Sequence, residues 1–289
     1  LLSIAQAAAR RGSAGQPLPN MYQPLAARGI EICKGQLSLI AAPPGAGKST
    51  LAMNLMVRMG VPTLAFLLDT DQLSAAARFG SILSGDYFGQ VKANIDSYSE
   101  SLSSLRDMQV VFHAMDMDDI RLQVSAYEQR YGLPPDLVVV DNLGNLTSAM
   151  DNEWALLKAL CLELDLLARE MQCAVVACAH MTDMETTTPA GRTKLLGKVS
   201  QYPRLILSIG YDPVSHEYKV SAVKNSSGPS DVSASHPVTM YADFSRVLIS
   251  ETDPHWSPSG KVAEAVETIQ QFSRAFDSRP VDNGWSGLR

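Results

Sequence analysis

The sequence contains no apolar run reaching the roughly eighteen residues that a membrane-spanning helix needs, and Leu1-Leu2 opens it without a basic leader region or a cleavage pattern. A cytoplasmic protein with no membrane contact is therefore expected. Leu1 stands where an initiator methionine would, so the natural start is expected upstream. Cysteine is scarce. Cys33, Cys161, Cys173 and Cys178 form no C-x-x-C pair and have no histidines at ligand spacing, which excludes a zinc site or disulfide framework and suits a reducing compartment. Positive charge is in deficit, 24 Lys and Arg against 30 Asp and Glu, net −6. That excludes a polybasic mode of nucleic-acid binding, so any such contact must come from a local patch. Internal repeats and low-complexity tracts are absent as well. What remains is a chain of 289 residues, 46% hydrophobic, long enough to bury one sizeable core.

Three regions follow from the pattern. Residues 1–30 read as a short N-terminal helix ending at Arg10-Arg11, then a Gly/Ser/Pro linker. Residues 31–251 carry short, nearly continuous apolar runs, Leu37 to Ala42, Thr63 to Leu68, Val110 to Phe112, Leu137 to Val140, Ala174 to Ala179 and Leu205 to Ile209, which fit strands buried on both faces. Helical patterns over Ser49 to Met59, Gln72 to Leu83, Ile120 to Tyr131 and Trp154 to Met171 separate several of them, so the fold class is α/β with a mostly parallel central sheet. The short alternating runs Tyr218 to Val223, Val238 to Tyr241 and Val247 to Ile249 predict an antiparallel C-terminal extension. Residues 252–289 are polar, with an amphipathic helix over Lys261 to Phe276 that reads as core packing, and Trp256 and Trp285 leave a partner-binding tail open.

The chemistry starts at Ala42-Pro43-Pro44-Gly45-Ala46-Gly47-Lys48-Ser49-Thr50, directly after a predicted strand and opening a predicted helix. This is a Walker A phosphate loop. Backbone N–H groups of Pro44–Thr50 (Pro44 itself has none) cradle phosphate at the helix N-terminus, the Lys48 ammonium neutralises β/γ charge, and the Ser49 hydroxyl ligates Mg²⁺. Ala42 stands where the general motif has its first Gly. Leu137-Val138-Val139-Val140-Asp141 supplies the matching Walker B carboxylate, Asp141, for Mg²⁺. ATP and Mg²⁺ are the cofactors these residues call for.

At this point the chain resembles the RecA-like P-loop NTPase core of DnaB-like replicative helicases (superfamily 4), in a phage- or plasmid-type short form. The resemblance runs from about Gly29 to Ser250. Ala42 and Pro44 match that family's version of the phosphate loop, and Ala52-Met53-Asn54-Leu55 is similar to its helix. Phe66-Leu67-Leu68-Asp69, then Gln72-Leu73 through Arg78, resembles the family's strand ending in a catalytic Glu; Asp69 is one methylene shorter, and Asp71 is the fallback. His180 stands where relatives place a γ-phosphate sensor, a structural strand-end histidine being the other reading, while His113, His216, His236 and His255 read as structural or surface residues. Lys224-Asn225-Ser226-Ser227-Gly228-Pro229 and Phe244-Ser245-Arg246 resemble the family's Lys-Asn-Arg-x-Gly-Pro and F-x-R segments, whose Lys and Arg reach a neighbouring subunit's ATP. Ser226 replaces the finger Arg, leaving Arg246 as a substitute or Lys224 alone.

Residues 190–204 carry Arg192, Lys194, Lys198 and Arg204 with no acidic residue, and Gly191 and Gly197 suit a loop approaching a phosphate backbone. The resemblance assigns this window to the channel that holds single-stranded DNA; a solvated basic loop is the competing reading. What the resemblance implies is a DNA-stimulated ATPase and 5′-to-3′ DNA helicase in replication, a homo-oligomer forming a hexameric ring, with replication partners. The departures at Asp69 and Ser226 keep a second reading open, a RecA-type ATPase that loads, anneals or protects single strands with ATP as an assembly switch. About thirty residues precede the core, too few for the family's collar domain, and Leu1 to Arg11 reads equally as a docking helix or a cap.

Overall fold

In the computed structural model of the chain, which describes residues 3–9, 12–147, 152–181, 187–194 and 199–253, the apolar runs become one sheet. Its strands are β1 (Gln36–Ala42), β2 (Thr63–Leu67), β3 (Met108–Val111), β4 (Leu137–Asp141), β5 (Ala174–His180), β6 (Leu205–Tyr211), β7 (Glu217–Asn225), β8 (Val238–Asp243) and β9 (Leu248–Ser250). Their spatial order is β3-β2-β4-β5-β1-β6-β7-β8-β9. The first six are parallel to one another, and β7, β8 and β9 add antiparallel strands beyond β6. The α/β class with an antiparallel extension is thus as the pattern predicts.

The helices are α1 (Ile4–Ala9), α2 (Gln23–Ala26), α3 (Lys48–Met59), α4 (Gln72–Ser84), α5 (Phe88–Ala93), α6 (Ser99–Ser103), α7 (Met117–Tyr131) and α8 (Glu153–Met171). Strand alternation divides the core between two faces. Ile40 and Ala42 of β1 pack with Leu51, Leu55 and Met56 of α3, while Leu37, Leu39 and Ala41 pack with Leu160 and Leu164 of α8. The buried stripe of α8 passes through Leu157, with Leu156 half-buried at its edge. Leu18, Tyr22, Leu25 and Ile30 are buried in the α3-side core, so the stretch read as linker joins the packed unit from Leu18 onward. The expected helix over Lys261 to Phe276, with Trp256 and Trp285, lies outside the described residues, as does Lys198.

Two topological details position the site. The chain leaves β1 toward β2 on one side and leaves β5 toward β6 on the other, so the crevice at the carboxyl ends of β1 and β5 is a switch point where open α/β sheets bind ligands. Parallel register then sets Ala42 beside His180. The β6–β7 ladder is irregular between Ile206 and Leu207, which pair with Lys224 and Ala222, so Val223 is an extra, bulged residue in β7.

Candidate active site

The phosphate loop leaves β1 at Ala42 and enters α3 at Lys48. Gly45 and Gly47 hold left-handed backbone conformations, φ +80 and +87, and a Cβ on Gly47 would lie 2.6 Å from Phe244 Cζ. Gly47 therefore meets both a conformational and a steric demand. Its carbonyl accepts a hydrogen bond from the Tyr218 hydroxyl at 3.1 Å, so β7 and the β8–β9 turn both brace the loop. Pro44 and Gly45 are exposed, Gly47 and Ser49 half-buried, and Ala46, Lys48 and Thr50 buried.

Lys48 is 6% exposed. Its ammonium donates to the Ala42 carbonyl at 3.0 Å, to the Pro43 carbonyl at 3.1 Å and lies 3.2 Å from His180 Nδ1. Burial pulls its pKa down, partly offset by Cys178, Asp141 and Asp69. Asp141, 2% exposed at the end of β4, is pushed up by burial and held back by a hydrogen bond from the Ser49 hydroxyl and another from the Cys178 thiol. Burial raises that thiol well above its ordinary range, so Cys178 is a neutral donor here. His180 is lowered by burial and by the neighbouring Lys48 charge, which favours the neutral imidazole.

The structure brings Lys48, Ser49, Asp69, Asp141 and His180 to one edge of the sheet. Asp69 follows β2, and the Leu68 amide bonds the Asp141 carbonyl at 2.8 Å, fixing the two strand ends side by side. Asp71 is already engaged as the N-cap of α4, accepting from the Ser74 amide at 2.9 Å, and bonds from Ser74 hold its carboxyl below the usual range. The Ser49 hydroxyl and the Asp141 carboxylate are paired hard oxygen ligands that fit Mg²⁺. Among the described residues no group of three or more His, Cys, Asp or Glu is placed to hold a metal ion by itself, so such an ion would complete its shell with phosphate and water oxygens.

Lys224 and Arg246 do not join this cluster through any hydrogen bond. The Lys224 ammonium donates to the Ser200 and Gln201 carbonyls at 2.7 and 3.2 Å, at the start of β6, and its pKa is lowered by burial and then by Arg204 and Arg192. The sequence separated these three cations into two roles, whereas the fold gathers them at one rim. Lys194 lies exposed in a short 3-10 turn of the same loop. Arg246 pairs with Asp243 at 2.9 Å and stacks on the Tyr87 ring at 4.2 Å, in the turn whose Phe244 touches Gly47. The turn that carries it thus meets its own chain's phosphate loop through Phe244.

Sequence reasoning missed Asn142, which is 4% exposed and whose side chain lies between Asp69 and His180. An Asn after an apolar strand looks like turn chemistry, and here it is that too, accepting from the Gly144 amide at 2.8 Å. It also missed the contact of Phe244 and Tyr218 with Gly47, because nothing in a linear pattern announces contacts some 170 residues or more apart.

The fold is shared with solved structures of low sequence identity. One solved ATPase domain superposes with a TM-score of 0.71 at 14% identity, over 86% of this chain and 96% of that one. A DnaB-like replicative helicase, described with its interactions with primase, gives 0.69 at 15% identity over 81% and 63%. Among curated proteins the chain is 32% identical over 239 residues to the Gene 65 protein of Mycobacterium phage L5, covering 77% of this chain and 88% of the relative. The Gene 65 protein of Mycobacterium phage D29 is 31% identical over 213 residues, 68% and 90%. The family model for the DnaB-like helicase C-terminal domain matches residues 22–189, more than half the chain and all of the clustered site, ending just before the basic loop. The chain belongs to the DnaB-like helicase C-terminal domain family, with relatives of phage origin.

Proposed function

We propose that the chain binds Mg-ATP at Lys48, Ser49 and Asp141 and hydrolyses it to move along single-stranded DNA within a ring of identical subunits, a hexamer by family likeness. The observation that carries this is the convergence of Lys48, Asp69, Asp141 and His180 on one sheet edge, at the mouth of a glycine-bearing loop that opens a helix. Asp69 orients the attacking water, and the loop amides of Pro44–Thr50 (Pro44 itself lacking one) bind the phosphates. Mg²⁺, held by Ser49 and Asp141, would neutralise developing phosphate charge. His180 registers the terminal phosphate and lies at the root of the basic segment.

Arg192, Lys194 and Arg204, with Lys198, form the DNA-contacting loop. Lys224, at the same rim, faces away from its own phosphate loop, which suits contact with a neighbour. Arg246, braced by Asp243 and Tyr87 in the turn that meets its own loop, suits a role on its own chain's nucleotide better than a finger directed at another's. A loader or annealing ATPase is the second reading, favoured by Asp69 in place of Glu and Ser226 in place of the finger Arg.

DNA-stimulated ATP hydrolysis measured together with strand displacement tests this. A helicase gives both; binding with slow hydrolysis and no displacement gives the assignment to the loader; neither hydrolysis nor nucleotide binding removes both readings.

A further inference from the structure

The hydrogen bonds around His180 leave two donors facing one another. An ammonium has no lone pair, so His180 Nδ1, 3.2 Å from Lys48 Nζ, must accept, and the neutral ring carries its single proton on Nε2. Nε2 lies 3.4 Å from Asn142 Nδ2. The Asn142 amide cannot turn its oxygen that way without giving up the bond from the Gly144 amide, 2.8 Å from Oδ1. Its nitrogen, also 3.5 Å from Asp69 Oδ2, is therefore fixed as the end that meets the histidine. Among the described residues two N–H groups thus abut with no acceptor shared between them, beside the buried Lys48 charge and the carboxylate of Asp69.

We propose that Asn142 Nδ2–H and His180 Nε2–H together hold one oxygen of the terminal phosphate of a bound nucleoside triphosphate, making Asn142 a γ-phosphate-binding residue. The inference rests on the triphosphate reading of the site. An incoming phosphate oxygen supplies the acceptor both donors lack. It also draws the Lys48 ammonium off the Ala42 and Pro43 carbonyls, where it rests at 3.0 and 3.1 Å. The second Asn142 N–H stays directed at Asp69, so one amide spans the phosphate and the acid that orients water. A diphosphate ends before this pair, and Asn142 distinguishes the two nucleotides.

The test is calorimetric binding of a nonhydrolysable ATP analogue and of ADP to the full chain, with Mg²⁺. Asn142→Asp keeps the oxygen that accepts from Gly144 and replaces the donor by a second oxygen; Asn142→Ala removes both. The expected result is a loss of about ten- to a hundredfold in affinity for the analogue in each variant, with ADP affinity held within about twofold. His180→Ala combined with Asn142→Ala costs less than the product of the single losses, because the two share one oxygen. Equal weakening of analogue and ADP, or no weakening of either, overturns the proposal. Lys48→Ala separates this from the wider reading: if it weakens both nucleotides while the Asn142 variants weaken neither, the triphosphate site stands and the role of Asn142 falls. A wild-type chain that binds neither nucleotide removes both.

Discussion

The carboxyl-end edge of β1, β2, β4 and β5 and the rim where β6 begins and β7 ends handle charge in opposite ways. At the first, Lys48 and Asp141 are almost wholly buried, and each is answered by named partners. At the second, like charges crowd together, Arg192 and Arg204 depressing Lys224 after burial itself, with Arg204 exposed. Burying a charge is tolerable only where hydrogen bonds replace its water, which suits a ligand of fixed size and shape. Crowding cations at a surface suits an extended polyanion that need fit no particular shape.

The contrast can be broken most severely at Lys48. Lys48→Ala is expected to lower ATP hydrolysis by about 10²- to 10³-fold while circular dichroism stays unchanged; unaltered turnover would mean the buried edge is not the nucleotide site. Next in size is the loop itself. Gly47→Ala forces a side chain into φ +87 and against Phe244, and a loss of about 1–3 kcal/mol in denaturant unfolding is expected. Gly45→Ala, at φ +80 with open space around its Cβ position, should cost only about 1 kcal/mol. Equal costs would deny the steric part played by Phe244.

At the rim, Arg192→Ala and Arg204→Ala should each flatten the slope of log affinity for single-stranded DNA against log salt by about 0.7, with nucleotide affinity untouched. An unchanged slope removes the loop from the DNA contact. The smallest effect is in acid. His180 is lowered in the folded chain by burial and by Lys48, so below its ordinary pKa the unfolded chain takes up a proton that the folded chain resists. Stability is therefore fully present above about pH 6.5 and declines as pH falls from there toward the folded value. His180→Gln should lessen that decline in thermal melts between pH 7 and 5.

How much could be read beforehand depended on distance along the chain. The central strands were legible because continuous apolar runs bounded by turns admit few other structures, and Lys48 and Asp141 because their motifs are local. The stretch between α4 and β3 was not: α5, α6 and the 3-10 turn Ile95–Tyr98 are short and lack an apolar period. Asn142 escaped because its identity carries no signal until Asp69 and His180, 73 and 38 residues away, are brought beside it. The two roles assigned to Arg192, Arg204 and Lys224 merged because antiparallel pairing lays the end of β7 on the start of β6, beside the basic loop, a juxtaposition that no single motif displays.

The bulge at Val223 has a geometric consequence. In an unbroken strand Tyr218 and Lys224, an even number of residues apart, would project from the same side. Tyr218 packs on the α3 side and bonds the phosphate loop. Lys224 instead reaches the Ser200 and Gln201 carbonyls and feels Asp165 of α8. One surplus residue therefore turns a single ribbon of backbone into a two-sided bracket. Deleting Val223 would set Tyr218 and Lys224 an odd number of residues apart, so plain alternation would keep them on opposite sides with no bulge.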